Sequence, residues 1–269
     1  MIAAAGWSLL AASSLILGAA IAMRFDLSQR VIGLIMGFGA GVLIAALSVD
    51  LASEAFERGN GVVLALGLGA GGITFFMGDL FLDRHGAAQR KNSGGAQAEG
   101  GPLAIVLGII LDGVPESAAI GVALVEGEGI GAAFVAAVFL SNLPESISAT
   151  SGLRRAGHSA AWIYGLWTLV ALVCAVTAML AFGLLDGASE SLIAFILAFA
   201  AGAILAMLAD TMIPEALEHA GKAVALVTVL GFAIGFVIVE REAQTAEPQH
   251  APAESLAAAF RERPRPGSS

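Results

Sequence analysis

Long apolar stretches separated by short polar segments dominate this chain. Each stretch is about 20 residues long, the length that an α-helix needs to cross the hydrocarbon core of a bilayer. The stretches cover residues 3–23, 31–53, 62–82, 103–125, 129–152, 160–183, 191–217 and 222–239. We therefore predict an all-α polytopic membrane protein with eight transmembrane helices.

Two polar segments lie outside these spans. Residues 83–101, between the third and fourth spans, are rich in glycine and alanine and are predicted to form a mobile loop. Residues 240–269 are rich in proline, glutamate and alanine and are predicted to form a disordered tail. The expected organisation is one transmembrane domain over 1–239 followed by that tail. Asp79 and Asp83 end the third span and are expected to lie in the membrane interface.

The composition excludes several classes of protein. Of the 269 residues, 58% are hydrophobic and 13% are charged, whereas soluble domains are about 45–50% apolar and about 25% charged. This excludes an ordinary soluble enzyme and a disordered protein. The single cysteine, Cys174, excludes a disulfide framework. A basic patch for nucleic acid is absent from the sequence, as are a P-loop and a dinucleotide fingerprint, so no nucleic-acid partner or cofactor is expected.

The basic residues near the spans predict an orientation. The even-numbered loops hold only Arg58. The odd-numbered loops hold Arg24, Arg30, Arg84, Arg90, Lys91, Arg154, Arg155 and Lys222. By the positive-inside rule, the odd loops, including 83–101, face the cytoplasm and both termini lie outside. The preference for arginine and alanine suggests a bacterium with a GC-rich genome, and hence the bacterial inner membrane.

An internal repeat relates the second and seventh spans. Residues 38–57 align without gaps to residues 199–218 with eight identities, which include Glu54 with Glu215. These two spans cross the membrane in opposite directions. The alignment therefore predicts an inverted repeat, helices 1–3 against helices 6–8, around the central helices 4 and 5, a plan that recurs in secondary transporters.

The fourth and fifth spans share a proline-glutamate-serine motif. In the fourth span, Asp112 and Glu116 are four residues apart, so both carboxylates lie on one face of the helix. In the fifth span, Ser141 and Glu145 have the same spacing, and Asn142 adjoins Ser141. These side chains offer carboxylate, hydroxyl and amide oxygens at mid-membrane depth.

The prolines of the two motifs add further oxygens. Pro115 and Pro144 cannot donate to the carbonyls four residues earlier, those of Leu111 and Leu140. An ionised acid at the bilayer centre costs about 2.5–3.5 kcal/mol, and the spans contain no lysine or arginine. We therefore expect the acids to be protonated, hydrated or bound to a metal ion. The alternative is that protonated acids only join the helices structurally.

Further acids predict a pathway to and from this region. Asp50 and Glu54 lie towards the outer end of the second span, and Asp210 and Glu215 lie towards the inner end of the seventh. They suit an entrance and an exit for cations.

This pattern, up to about residue 239, resembles the ZIP family of divalent metal transporters. The fourth helix of that family typically reads His-Asn-x-Pro-Glu-Gly, and residues 112–117 here read Asp-Gly-Val-Pro-Glu-Ser. Residues 141–146, Ser-Asn-Leu-Pro-Glu-Ser, are similar to the motif of the family's fifth helix. The stretch MIPEALEHAG, at 212–221, is similar to the seventh.

The resemblance implies a two-metal transport site between helices 4 and 5, bridged by Glu116 and Glu145. Asp112 and Ser141 would complete one half of the site, and Asn142 would belong to the other. The implied function is transport of a divalent cation of the zinc, iron or manganese class towards the cytoplasm, not enzymatic catalysis. The expected partners are metal ions, the lipid bilayer and, as one option, a second copy in a homodimer.

Two other functions compete with transport. A non-transporting metal-binding or sensor protein could use the same scaffold. An intramembrane protease of the rhomboid type needs a histidine in the membrane, and all four histidines fall in loops, helix ends or the tail. The ligands predicted here are all oxygens, and such ligands favour manganese or iron over zinc.

Overall fold

The computed structural model describes residues 1–88, 90, 92–94, 102–125 and 132–246. Within these residues the chain is helical and contains no β-strand. The helices are α1 (Ile2–Arg24), α2 (Gln29–Arg58), α3 (Gly61–Ala87), α4 (Pro102–Ala123), α5 (Ala132–Arg155), α6 (Ala160–Leu185), α7 (Glu190–Ala220) and α8 (Ala223–Ala246). All eight are long and apolar enough to cross a membrane, which confirms the predicted all-α class and the eight spans.

Polar residues in the short connections fix where several helices begin. The Asn60 side chain accepts hydrogen bonds from the first amides of α3, at 2.9 and 3.1 Å. Ser28 caps α2 and Ser159 caps α6 in the same way. A capping side chain satisfies amides that have no partner within the helix. Short capped turns therefore join consecutive spans directly.

The helix ends extend beyond the apolar stretches. α2 continues to Arg58 and α7 continues to Ala220, through polar turns that hydropathy alone does not include. α8 continues to Ala246, so the first residues of the predicted tail are helical. The rest of that tail lies outside the described residues.

The helices form a central group and a peripheral group. α5 is the most enclosed helix, and α2, α4 and α7 are also mostly buried, whereas α3 and α8 are the most exposed. Their exposed residues are large and apolar, such as Leu66 and Ile73 on α3 and Leu226 and Val229 on α8. Because such surfaces are stable only against lipid, the chain is an integral membrane protein.

Glycines allow the peripheral helices to pack closely on the central ones. A β-carbon at Gly41 of α2 would collide with the carbonyl of Thr228 in α8, and one at Gly231 of α8 would collide with the carbonyl of Phe38. Small residues at helix crossings let the backbones approach closely in membranes. The α2–α8 pair therefore depends on these two glycines.

The α3–α7 pair has the same construction. A β-carbon at Gly202 of α7 would collide with the carbonyl of Leu68, and one at Gly71 of α3 would collide with the carbonyl of Phe199. In the predicted repeat, Gly202 aligns with the glycine of the α2–α8 crossing, and Phe199 aligns with its phenylalanine. The two crossings are thus built from equivalent residues.

A π-helical turn also occupies matching places in α2 and α7. The turn covers Leu47–Ala52 in α2 and Leu208–Met212 in α7, and Leu47 aligns with Leu208 in the repeat. Such turns are uncommon and often lie at functional sites. The matching turns and crossings support the inverted repeat, which stays a prediction.

Candidate metal site

The two proline-containing helices enclose a small buried cavity. Asp112 of α4 and both Asn142 and Glu145 of α5 line it, and Trp167 and Cys174 of α6 close one side. Its volume is about 20 Å³, enough for one water molecule. Two carboxylates and one amide thus share a space of the size of a single small ligand.

All five residues of the predicted site are buried, but they do not all reach this cavity. Glu116 and Ser141 are absent from its wall. The hydroxyl of Ser141 donates to the carbonyl of Val138 in its own helix, at 3.0 Å. The bridging role of Glu116 and the ligand role of Ser141 therefore stay predictions.

Arg90 neutralises Asp112, against the expectation that no basic side chain reaches the membrane acids. Its guanidinium donates from Nε to Oδ2 of Asp112 at 2.9 Å and from Nη2 to Oδ1 at 3.0 Å. This paired geometry is the strongest that arginine makes with a carboxylate. The expectation is wrong for Asp112 because the neutralising charge comes from the segment between α3 and α4, outside the spans.

Two acids of α3 complete the surroundings of Arg90. Its Nη2 also binds Asp79, and its Nη1 lies 3.3 Å from Oδ1 of Asp83. Asp79 is buried inside the protein, and its expected place in the membrane interface stays a prediction. Burial disfavours the charged guanidinium, but the attraction and hydrogen bonds of Asp112 and Asp79 outweigh it and raise the pKa of Arg90. Arg90 therefore remains a cation.

A glycine on α4 provides the space for this arginine. A β-carbon at Gly108 would lie 2.5 Å from Cδ and 3.1 Å from Nε of Arg90. Gly108 precedes Asp112 by four residues and so lies on the same face of α4. The helix thus offers a groove for the arginine stem and a carboxylate for its end.

The predicted entrance and exit acids lie at opposite ends of the bundle. Glu54 pairs with Arg58 at 2.9 Å, and Arg58 also pairs at 2.9 Å with Glu190, the first residue of α7. Asp50 is half-buried in the π turn one helical turn before Glu54. Glu215 lies 25 residues after Glu190, or roughly 38 Å along α7 at about 1.5 Å per residue.

A larger polar cavity opens at the Glu215 end. Its volume is about 210 Å³. The residues that line it are Asp83, Ala88, Arg90, Asn92, Asp210, Thr211, Pro214, Glu215 and Glu218. Arg90 lines this cavity and binds Asp112, which lines the smaller one, so the Arg90–Asp112 pair has one residue in the wall of each cavity.

The side chains available as ligands limit how a metal ion could be bound. In the part of the chain that the structure describes, no three histidine, cysteine, aspartate or glutamate side chains form a group that could hold a metal ion. A cation in the small cavity would be held by Asp112, Glu145 and the amide of Asn142. Asp112 can contribute only as far as Arg90 releases it.

Sequence reasoning missed Arg90, Asp79 and Gly108. The available signal was the pair Asp79 and Asp83, four residues apart at the end of an apolar helix, because two such acids need a nearby cation. The polar segment that follows them contains Arg90. Counting charges only inside the spans hid this partner.

Comparison with known proteins found a similarity to a protein named as a transporter. No protein-family model matches the chain. A protein of Arabidopsis thaliana named "Putative zinc transporter" is 29% identical to it over 208 residues, 76% of this chain and 33% of that protein. The chain therefore spans about a third of the length of this relative. The similarity, although modest, suggests a relationship to zinc transporters.

Proposed function

We propose that this protein transports a divalent metal cation across the membrane through the space between α4 and α5. The observation that carries the proposal is the shared cavity, in which Asp112 and Glu145 bring two carboxylates together with the amide of Asn142. Buried acids inside a membrane protein mark ion pathways more often than structural contacts. The named zinc transporter from Arabidopsis supports the same substrate class.

Acidic residues at both ends of the bundle support a route through it. Asp50 and Glu54 serve as the entrance, and Asp210 and Glu215 serve as the exit through the polar cavity. We assign the Glu215 end to the cytoplasm, because the basic residues of the loops favour that orientation. On this proposal the metal moves towards the cytoplasm, both termini lie outside, and the membrane is a bacterial inner membrane.

The proposal places the protein with the ZIP family, which its motifs resemble. The equivalent glycine crossings and π turns of α2 and α7 support the inverted repeat of transporters. In this proposal Glu116 and Ser141 join the cavity residues as metal ligands when the helices move. The cargo is zinc, iron or manganese, and no resident cofactor is required.

Uptake into proteoliposomes tests this function. Vesicles containing the purified chain should accumulate zinc or manganese, and Glu145→Gln and Glu116→Gln should each reduce uptake to the level of empty vesicles. Glutamine retains the size of the side chain and removes its charge. Glu57→Gln is the matched control, because Glu57 is exposed at the end of α2 and should retain most of the uptake. Full uptake by Glu145→Gln would contradict the assigned site.

A non-transporting metal-binding protein is the second candidate. The position of Arg90 favours it, because its guanidinium already donates to both oxygens of Asp112. Binding of zinc or manganese without accumulation in vesicles would support this candidate over transport.

A further inference from the structure

We propose that Arg90 is a built-in competitor of the transported cation at Asp112, and that metal binding there releases the segment around Arg90 from the inner side of the site. This inference rests on the proposed transport function and adds a residue that controls occupancy of the site. Both oxygens of Asp112 accept hydrogen bonds from the guanidinium, and its positive charge repels a metal ion that approaches the same carboxylate. Metal and Arg90 must therefore compete.

The residues around Arg90 form a specific binding site for its side chain. Arg90 is among the most deeply buried side chains, with 1% exposure, although it follows α3 in a polar segment. Three carboxylates surround its guanidinium, and Gly108 leaves room for its stem. One arginine among Asp79, Asp83 and Asp112 leaves a net negative charge that attracts a second cation.

The segment that carries Arg90 is also held a few residues further along. The amide of Ser93 donates to Oε1 of Glu215 at 2.8 Å, and Arg155 donates to the carbonyl of Ser93 at 2.9 Å. The segment is thus attached to α4 at Arg90, and to both α7 and α5 at Ser93. Ala88, Arg90 and Asn92 of this segment line the larger polar cavity.

Loss of the Arg90 contact would free Asp112 from its partner in the larger cavity. Arg90 lines that cavity, and Asp112, to which it is hydrogen-bonded, lines the smaller one. A divalent ion at Asp112 and Glu145 repels the guanidinium, because like charges a few ångströms apart at low dielectric interact strongly. Arrival of the cargo would then open the way towards Glu215.

Metal binding to the purified full chain in detergent tests the competition. Because Arg90→Gln alone leaves the buried acids Asp79 and Asp112 and the partly exposed Asp83 without their shared cation, the main variant is Arg90→Gln with Asp79→Asn, which conserves the net charge of the cluster. Calorimetric titration with Zn²⁺ and with Mn²⁺ should show binding at least about tenfold tighter than in the wild type. Gly108→Leu, which displaces the arginine without changing any charge, should tighten binding in the same direction.

Arg84→Gln is the matched control for the loss of one positive charge. Arg84 lies near the same end of α3 but is exposed, so its loss should change metal affinity by less than about twofold. Arg90→Lys retains the charge but not the paired geometry, and should give an intermediate affinity.

Hydrogen exchange measures the release of the segment independently of affinity. Exchange of the Ser93 amide should be slow in the wild type and should become faster on addition of Zn²⁺ or Mn²⁺. In the Arg90→Gln and Asp79→Asn double variant it should be fast without metal. A purely structural Arg90 would not produce the metal-dependent change.

The possible results separate this proposal from the proposed function. If the wild type accumulates metal in vesicles while neither affinity nor exchange depends on Arg90, the competition is wrong and transport stands. If vesicles accumulate no metal but the Arg90 variants bind it more tightly, the competition stands and transport is wrong. If no variant binds metal and vesicles accumulate none, both are overturned.

Discussion

The carboxylate of Glu215 accepts a hydrogen bond from the backbone amide of Ser93 at 2.8 Å, which connects α7 to the segment before α4. The same oxygen lies 2.8 Å from Nε2 of His219 and 3.4 Å from the hydroxyl of Ser148. Glu215 is buried despite its position near the end of α7. One carboxylate oxygen therefore organises contacts from three elements on this side of the bundle.

Replacement of Glu215 should weaken this side of the protein. We expect Glu215→Gln to lower the free energy of unfolding by about 2 kcal/mol, because hydrogen bonds to a charged acceptor contribute about 1.5–3 kcal/mol. Titration of the detergent-solubilised protein with SDS would measure the loss. Glu218→Gln, which alters an exposed acid one helical turn further on, should change stability by less than about 0.5 kcal/mol. Equal effects of the two variants would contradict the central position of Glu215.

Much of the fold follows from the sequence, because lipid imposes a simple length rule on apolar helices. The eight spans were predicted from apolar length alone, and capping residues such as Asn60 and Ser159 explain their starts. The length rule applies only to apolar residues in lipid. It therefore did not predict the polar last turns of α2 and α7, which are stabilised by contacts such as the pair of Arg58 with Glu190.

The candidate site was predicted only in part. The two proline motifs contain Asp112, Asn142 and Glu145, which line one cavity, whereas Glu116 and Ser141 do not line it. Helix periodicity predicts only which side chains of one helix share a face. It could not show that Arg90 returns to Asp112, because a contact between distant residues depends on the path of the chain. The described part of the predicted mobile loop contains Ser93, which is buried rather than exposed.

The close helix crossings predict that two glycines of α3 differ in their tolerance of alanine. Gly71→Ala should destabilise the protein by about 1–3 kcal/mol, because overpacking of a close contact has this cost, here against the carbonyl of Phe199. Gly69→Ala is the control, since a β-carbon there meets nothing within 4 Å, and it should be neutral or stabilise by up to about 1 kcal/mol. SDS titration of both variants gives the comparison, and a destabilised Gly69→Ala with an unaffected Gly71→Ala would refute the packing argument.

The orientation can be tested with two exposed aspartates in different loops. Asp26 lies between α1 and α2, and Asp186 lies between α6 and α7; both are exposed. With Cys174 replaced by alanine, a membrane-impermeant maleimide added to intact cells should modify Asp186→Cys and spare Asp26→Cys. After lysis, both should react. The opposite labelling would invert the predicted topology and with it the direction assigned to transport.

The identity of the cargo depends on the ligands in the small cavity, where Asp112, Asn142 and Glu145 offer oxygens and the thiol of Cys174, which also lines the wall, donates to the carbonyl of Gly113. Carboxylate and amide oxygens suit manganese, whereas an imidazole favours zinc. Asn142→His places an imidazole beside Glu145 without touching the contact of Arg90 with Asp112, so the zinc-to-manganese uptake ratio should rise. Competition uptake at fixed pH, with both metals offered together to proteoliposomes, measures that ratio. Thr168→His is the control, because Thr168 is exposed on α6 and does not line the cavity, and its ratio should remain that of the wild type. If the wild type already selects zinc strongly, the oxygen ligands do not set the preference for metal, even if the cavity is the place where the metal binds.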